Sequence, residues 1–76
     1  MPEADRIRIV NALFEWDRKQ GNAAFMGIAL QSLDRAIADN PDADARAIVL
    51  DAFTGRLAAH ICRKLKLPRP TDEEIR

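Results

Sequence analysis

PDADARAIVLDAFTGRLAAHICRKLK, residues 41 to 66, decides how this chain is read. Its apolar positions recur at helical spacing, and no part of it alternates as a half-buried strand does. Leu50, Phe53, Leu57, Ile61 and Leu65 form a stripe of large side chains. Nearly opposite, Ile48, Ala52, Gly55, Ala59 and Cys62 follow alternating spacings of four and three, a helix-contact register built mostly from small residues. Taken as one continuous helix, the segment is packed on two sides. A glycine inside a helix costs about 1 kcal/mol relative to alanine, so Gly55 is expected to admit a close neighbour.

The flanking residues supply the punctuation. Asn40 as N-cap, Pro41 at the first helical position, and Asp42 and Asp44 near the positive end of the dipole mark a start. Pro68 and Pro70 mark the stop. Upstream, Asn22 can cap a second helix over residues 22 to 38, with Phe25, Met26, Ala29, Leu30, Leu33, Ala36 and Ile37 on one side. Gly27 in its interior reads as a point of close packing or a slight bend. Gly21, following the cations Arg18 and Lys19, can adopt the left-handed cap that ends a first helix over residues 3 to 20. On that helix Ile7, Ile9, Val10, Leu13, Phe14 and Trp16 cover about half of the surface, wider than a simple two-layer contact requires. Trp16 reads as a core residue before an interface anchor. Residues 67 to 76 are expected to fray, although Thr71 with Glu74 three on has the spacing of another helical turn.

The expectation is therefore an all-α, three-helix compact domain over residues 1 to 76, with a long third helix. At 76 residues the chain lies near the lower end of what folds on one hydrophobic core. Its lone Cys62 excludes an internal disulfide framework, so a second subunit is the expected support. Either the first two helices sandwich the third within one chain, or one stripe meets a second subunit in a helical homodimer, the arrangement that the small size of the chain favours; Ile48, Ala52, Gly55, Ala59 and Cys62 are the helix-packing or dimer seam. No apolar stretch approaches the ~20 residues of a membrane span. Met1, Pro2, Glu3, Ala4 and Asp5 do not open a secretory signal, so a cytoplasmic protein is expected.

Chemistry is sparse. His60 and Cys62 are the only residues of their kinds, and two positions apart on a helix they point to different sides, which denies them the contact that activates a nucleophile. No cluster of ligands suits a metal, since helix capping accounts for Asp39, Asp42 and Asp44. Gly21, Gly27 and Gly55 are too far apart for a phosphate-cradling loop. No catalytic residue, cofactor or metal is expected, and the chain reads as a non-enzyme.

Charge provides the best polar candidate. Twelve Lys and Arg balance twelve Asp and Glu, but through Thr54 acids lead nine to six, and residues 55 to 69 carry five cations and no acid. Arg56, His60 and Arg63 share a flank, with Lys64, Lys66 and Arg69 following; such a group can grip phosphates or an acidic protein surface. The same cations are also what a helix C-terminus favours. The expected function is a small helical adaptor or inhibitor acting by protein–protein binding, of the regulatory kind that bacteria and their phages encode. The alternative is a nucleic-acid-associated regulator using residues 56 to 69.

From Ser32 to Leu65, the stretches SLDRAI (32–37) and AIVLDAFTGRLA (47–58) locally resemble the haemolysin-expression-modulating family, small helical proteins that modulate gene silencing by binding a nucleoid protein. The resemblance covers under half of the chain. Thr54 stands where that family's long helix carries an acid, and residues 3 to 20 have no counterpart, so the chain is not placed in the family.

Overall fold

Phe53 and Thr54 are extended, at φ/ψ of −134°/158° and −132°/169°, and they cut residues 41 to 66 into two helices. The computed structural model describes residues 1–74. It comprises α1 (Glu3–Gln20), α2 (Phe25–Asp39), α3 (Ala45–Ala52) and α4 (Gly55–Lys64), with no strand among the described residues. The three-helix expectation is thereby corrected to four. The physical reason lies in the two stripes: on a straight helix they face opposite ways and need two partners, whereas a break lets both halves turn onto one core.

That core joins Ile48, Val49 and Phe53 to Ala58, Ile61, Cys62 and Leu65, and packs them with Ile9, Leu13 and Leu33. Burying each such large side chain is worth roughly 1.5–3 kcal/mol, ample to offset a few lost helical hydrogen bonds at the break. Gly55 serves the break and not a contact. Its φ is +59°, and a Cβ built there would meet nothing within 4 Å. An L-residue pays about 1–2 kcal/mol for that left-handed conformation, which glycine takes freely.

Capping differs from the sequence expectation at two starts. Asp44, not Asn40, caps α3, its Oδ1 accepting the Ala47 N–H at 2.9 Å. Asn40 closes α2 instead: its backbone and side-chain N–H groups both donate to the Ala36 carbonyl at 3.0 Å, and its side chain reaches Asp51 at 3.1 Å. Asn22 accepts from the Ala24 N–H at 3.1 Å in a turn, so α2 begins only at Phe25. Gly27 is exposed with no neighbour within 4 Å of a built Cβ, so the close packing expected there is absent. Gly21 does take the left-handed cap, with φ +66° and its N–H on the Asp17 carbonyl at 2.8 Å.

α1 packs against each of the other three helices. Arg6 joins it to Asp34 of α2 at 3.0 Å, and Glu15 to Lys64 of α4 at 3.3 Å. The Cα radius of gyration is 11.4 Å, the size of one chain packed on its own core. Within that chain Ile48 and Cys62 are wholly buried, while Ala52, Gly55 and Ala59 are partly exposed and divided between two helices. They form no continuous face, so the basis for a homodimer seam along one long helix is gone. No helix among the described residues is long and apolar enough to cross a membrane.

α4 ends before the prolines act. The Leu67 N–H bonds the Cys62 carbonyl at 2.8 Å and the Lys66 N–H bonds the Arg63 carbonyl at 3.2 Å, a Schellman pair with Lys66 at φ +58°. The chain beyond has side-chain contacts over its described part. Residues 67 to 74 are held against α3 by Arg46, which bonds the carbonyls of Pro68 and Arg69 and both carboxylate oxygens of Glu74. The fraying expected of Ile75 and Arg76 lies outside the described residues.

Candidate functional site

α1, α4 and the segment after α4 enclose a cleft of about 480 Å³, lined by Trp16, Lys19, Arg56, Ala59, His60, Arg63, Leu67 and Arg69. Each element contributes by its own local logic. Trp16 lies on the core-facing side of α1 but one turn from its end, so the ring is only partly covered. Lys19 follows in the last turn, where a cation suits the dipole. Arg56, Ala59, His60 and Arg63 recur at helical spacing along α4, which aligns them on one flank. Leu67 and Arg69 arrive from the segment that the Schellman turn sends back across the helix end.

His60 anchors the floor. It is 6% exposed, and its Nε2 lies 3.2 Å from the Ala12 carbonyl. A carbonyl only accepts, so Nε2 carries the proton and the ring is held as that tautomer. The imidazole also packs on Trp16, with centroids 5.3 Å apart and planes tilted by 54°. Burial is the chief force holding His60 below the ordinary imidazole range, and Arg63 and Lys64 push the same way; Ala12 and Glu15 oppose them. Of the flank that it shares with Arg56 and Arg63, His60 is thus the buried member. The same break that folds α4 onto the core carries His60 in against α1.

The polar character of the cleft is one-sided. Lys19, Arg56, Arg63 and Arg69 supply four cations, and no carboxylate is among the lining residues. Among the described residues none of these four lies in an ion pair, whereas Arg6, Arg8, Arg35, Arg46 and Lys64 each have one. The arrangement is an apolar, aromatic-floored depression with a cationic rim. It is suited to an anionic group attached to an apolar or planar one.

Of the six candidate polar residues, Arg56, His60, Arg63 and Arg69 come together here. Lys64 turns to Glu15 at 3.3 Å, and Lys66 occupies the Schellman turn outside the lining. Trp16, Lys19 and Leu67 were not among the candidates. An aromatic one turn from a helix end, followed by a cation three residues on, was the available signal for the first two. Cys62 is wholly buried, and burial raises its thiol above the usual range, so it is poorly placed to react.

Comparison with protein families, curated proteins and solved structures gave no match to this chain. The functional reading therefore rests on the geometry.

Proposed function

We propose that this protein is a non-enzymatic binding module, an adaptor or inhibitor that works by protein–protein contact, and that its contact site is the cleft between α1 and α4. The observation that supports this reading is the pairing of a Trp16–His60 floor with four cations and no lining acid. The occupant is an acidic segment of a partner protein bearing an apolar side chain for the floor. Its carboxylates meet Arg56, Arg63 and Arg69, whose guanidinium groups accept bidentate pairing.

The nucleic-acid reading is second, favoured by Trp16 as a stacking platform beside cations. Against it, Lys64, next in sequence to the rim's Arg63, is engaged by Glu15, and the whole chain has zero net charge. Titration of the single tryptophan's fluorescence tests both. A glutamate-rich peptide containing one phenylalanine is expected to give a saturable change that survives about 0.15 M salt, with oligo-dT binding weakly and releasing steeply as salt rises. A silent peptide titration sinks the first reading, and tight, steeply salt-dependent oligo-dT binding replaces it with the second.

The homodimer belongs to this proposal with a different seam. Ile7 and Phe14 are 51% and 54% exposed and, two helical turns apart, stand on one flank of α1. Light scattering is expected to give a two-chain mass for the wild type and a one-chain mass for Phe14→Asp. A one-chain mass for the wild type removes the dimer.

A further inference from the structure

The wall of the cleft that carries Leu67 and Arg69 belongs to no helix, and beyond the Schellman turn no backbone hydrogen bond ties it to α4, although Leu67 packs on the core and Pro70 is buried. It is held from the far side. Arg46, on α3, donates from Nε to the Pro68 carbonyl at 3.0 Å and from Nη2 to the Arg69 carbonyl at 3.4 Å. Its Nη1 and Nη2 grip the two oxygens of Glu74 at 2.9 and 2.8 Å, the planar two-pronged geometry that makes arginine–carboxylate pairs strong. Glu74 is fixed in turn by a reciprocal capping box, its Oε1 accepting the Thr71 N–H at 3.0 Å and its N–H meeting Thr71 Oγ1 at 3.3 Å. Neither Arg46 nor Glu74 lines the cleft.

We infer that the Arg46–Glu74 pair is a latch that positions the Leu67–Arg69 wall, and so sets the affinity of the cleft for an anionic occupant without touching it. Residues Leu67 to Pro70 include two prolines, which cannot form the helical hydrogen bonds that would otherwise fix the path. Arg46 fixes the path instead, with side-chain donors to two successive carbonyls. Because Glu74 closes the fork, losing its carboxylate frees Arg46 to follow solvent, and Arg69 loses its fixed place on the rim. Arg46 and Glu74 are positioning residues in this scheme, and Arg69 is the group they deliver.

The inference about affinity rests on the binding reading above, and the experiment separates the two. Wild type, Glu74→Ala, Arg69→Gln and the double variant are compared by Trp16 emission without ligand and by titration with the glutamate-rich peptide. Glu74→Ala is expected to shift the free protein's emission to the red, as the wall beside Trp16 loosens, and to weaken peptide binding about tenfold. The double variant is expected to bind no more weakly than Arg69→Gln alone, because the latch acts through Arg69; a general loss of structure would add instead. Unchanged emission with unchanged affinity in Glu74→Ala overturns the latch, as does full additivity in the double variant. If the wild type ignores the peptide while Glu74→Ala still shifts emission, the binding reading and its affinity consequence fall and the mechanical latch stands. Circular dichroism on all four proteins must show the wild-type helix content, and Glu74→Gln, which keeps the capping box, is expected to fall between wild type and Glu74→Ala.

Discussion

His60 packs against Trp16 with its Nε2 on the Ala12 carbonyl, so a titratable ring serves as a joint between α4 and α1. Its folded-state pKa is lowered from 6.5, first by burial, which disfavours the charged form. Above pH 6.5 both folded and unfolded states hold it neutral and it adds no pH dependence. As pH falls below 6.5 the unfolded chain takes the proton more readily, so stability declines. Urea unfolding at about pH 7.5 and about pH 5.5, either side of that value, is expected to show the decline in the wild type, and His60→Gln is expected to lose the His60 share of it. The amide introduced by His60→Gln keeps a donor for the Ala12 carbonyl but loses the ring packing on Trp16, at a cost of about 1–2 kcal/mol at the higher pH. An unaltered pH slope in the variant would rule His60 out as the source.

The two glycines inside the predicted helices separate a broken helix from a continuous one. Gly27 lies in α2 with open space around a built Cβ, so Gly27→Ala is expected to stabilise by about 0.5–1 kcal/mol. Gly55 also has open space but sits at φ +59°, so Gly55→Ala is expected to destabilise by about 1 kcal/mol. Denaturant midpoints of the two variants provide the comparison. A stabilised Gly55→Ala would mean that residues 41 to 66 do form one helix.

How far the fold was legible follows from that same glycine. Helix type was readable because apolar spacing is a local property, and Gly21 was readable as a cap because cations precede it. The break at Phe53 was not, because nothing local forbids Phe53 and Thr54 from continuing a helix. Only the shared core favours the extended step, by turning Ile48 and Ile61 toward the same neighbours. Divided between two helices, members of both stripes, Ile48 and Cys62 with Phe53, Ile61 and Leu65, are buried in one core. The cleft was half legible for the related reason that Arg56, His60 and Arg63 share one helix, whereas Trp16, Lys19 and Leu67 come from elsewhere in the chain and meet them only in the fold.

Acid is expected to open the Arg46–Glu74 latch in its own pH window. The Arg46 hydrogen bonds, followed by those of Thr71, bring Glu74 down from 4.5 to about 2. A depressed carboxyl stabilises the fold fully above its unfolded value and loses that contribution as pH falls from 4.5 toward 2. The protection factors of the amides from Leu67 to Glu74, with the slower intrinsic exchange in acid taken into account, are expected to fall in that interval, which opens at 4.5 and not, as for His60, at 6.5. Glu74→Gln should show fast exchange already at about pH 6, where the wild-type carboxylate is fully charged. Protection equal to wild type in that variant would mean that the carboxylate does not hold the segment.

Arg63 and Lys66 test whether position or charge governs binding, since each removes one positive charge from the same end of α4 when replaced by glutamine. Arg63 lines the cleft and Lys66 does not. An attraction to the general basic character of residues 55 to 69 would weaken equally in both variants, because the screening length of about 8 Å in physiological salt spans the helix end. A seated carboxylate instead loses two directed hydrogen bonds with Arg63 and almost nothing with Lys66. Arg63→Gln is therefore expected to weaken the glutamate-rich peptide about tenfold, and Lys66→Gln by less than about twofold. Equal losses would show that the peptide senses only the field, and the cleft would then cease to be the site.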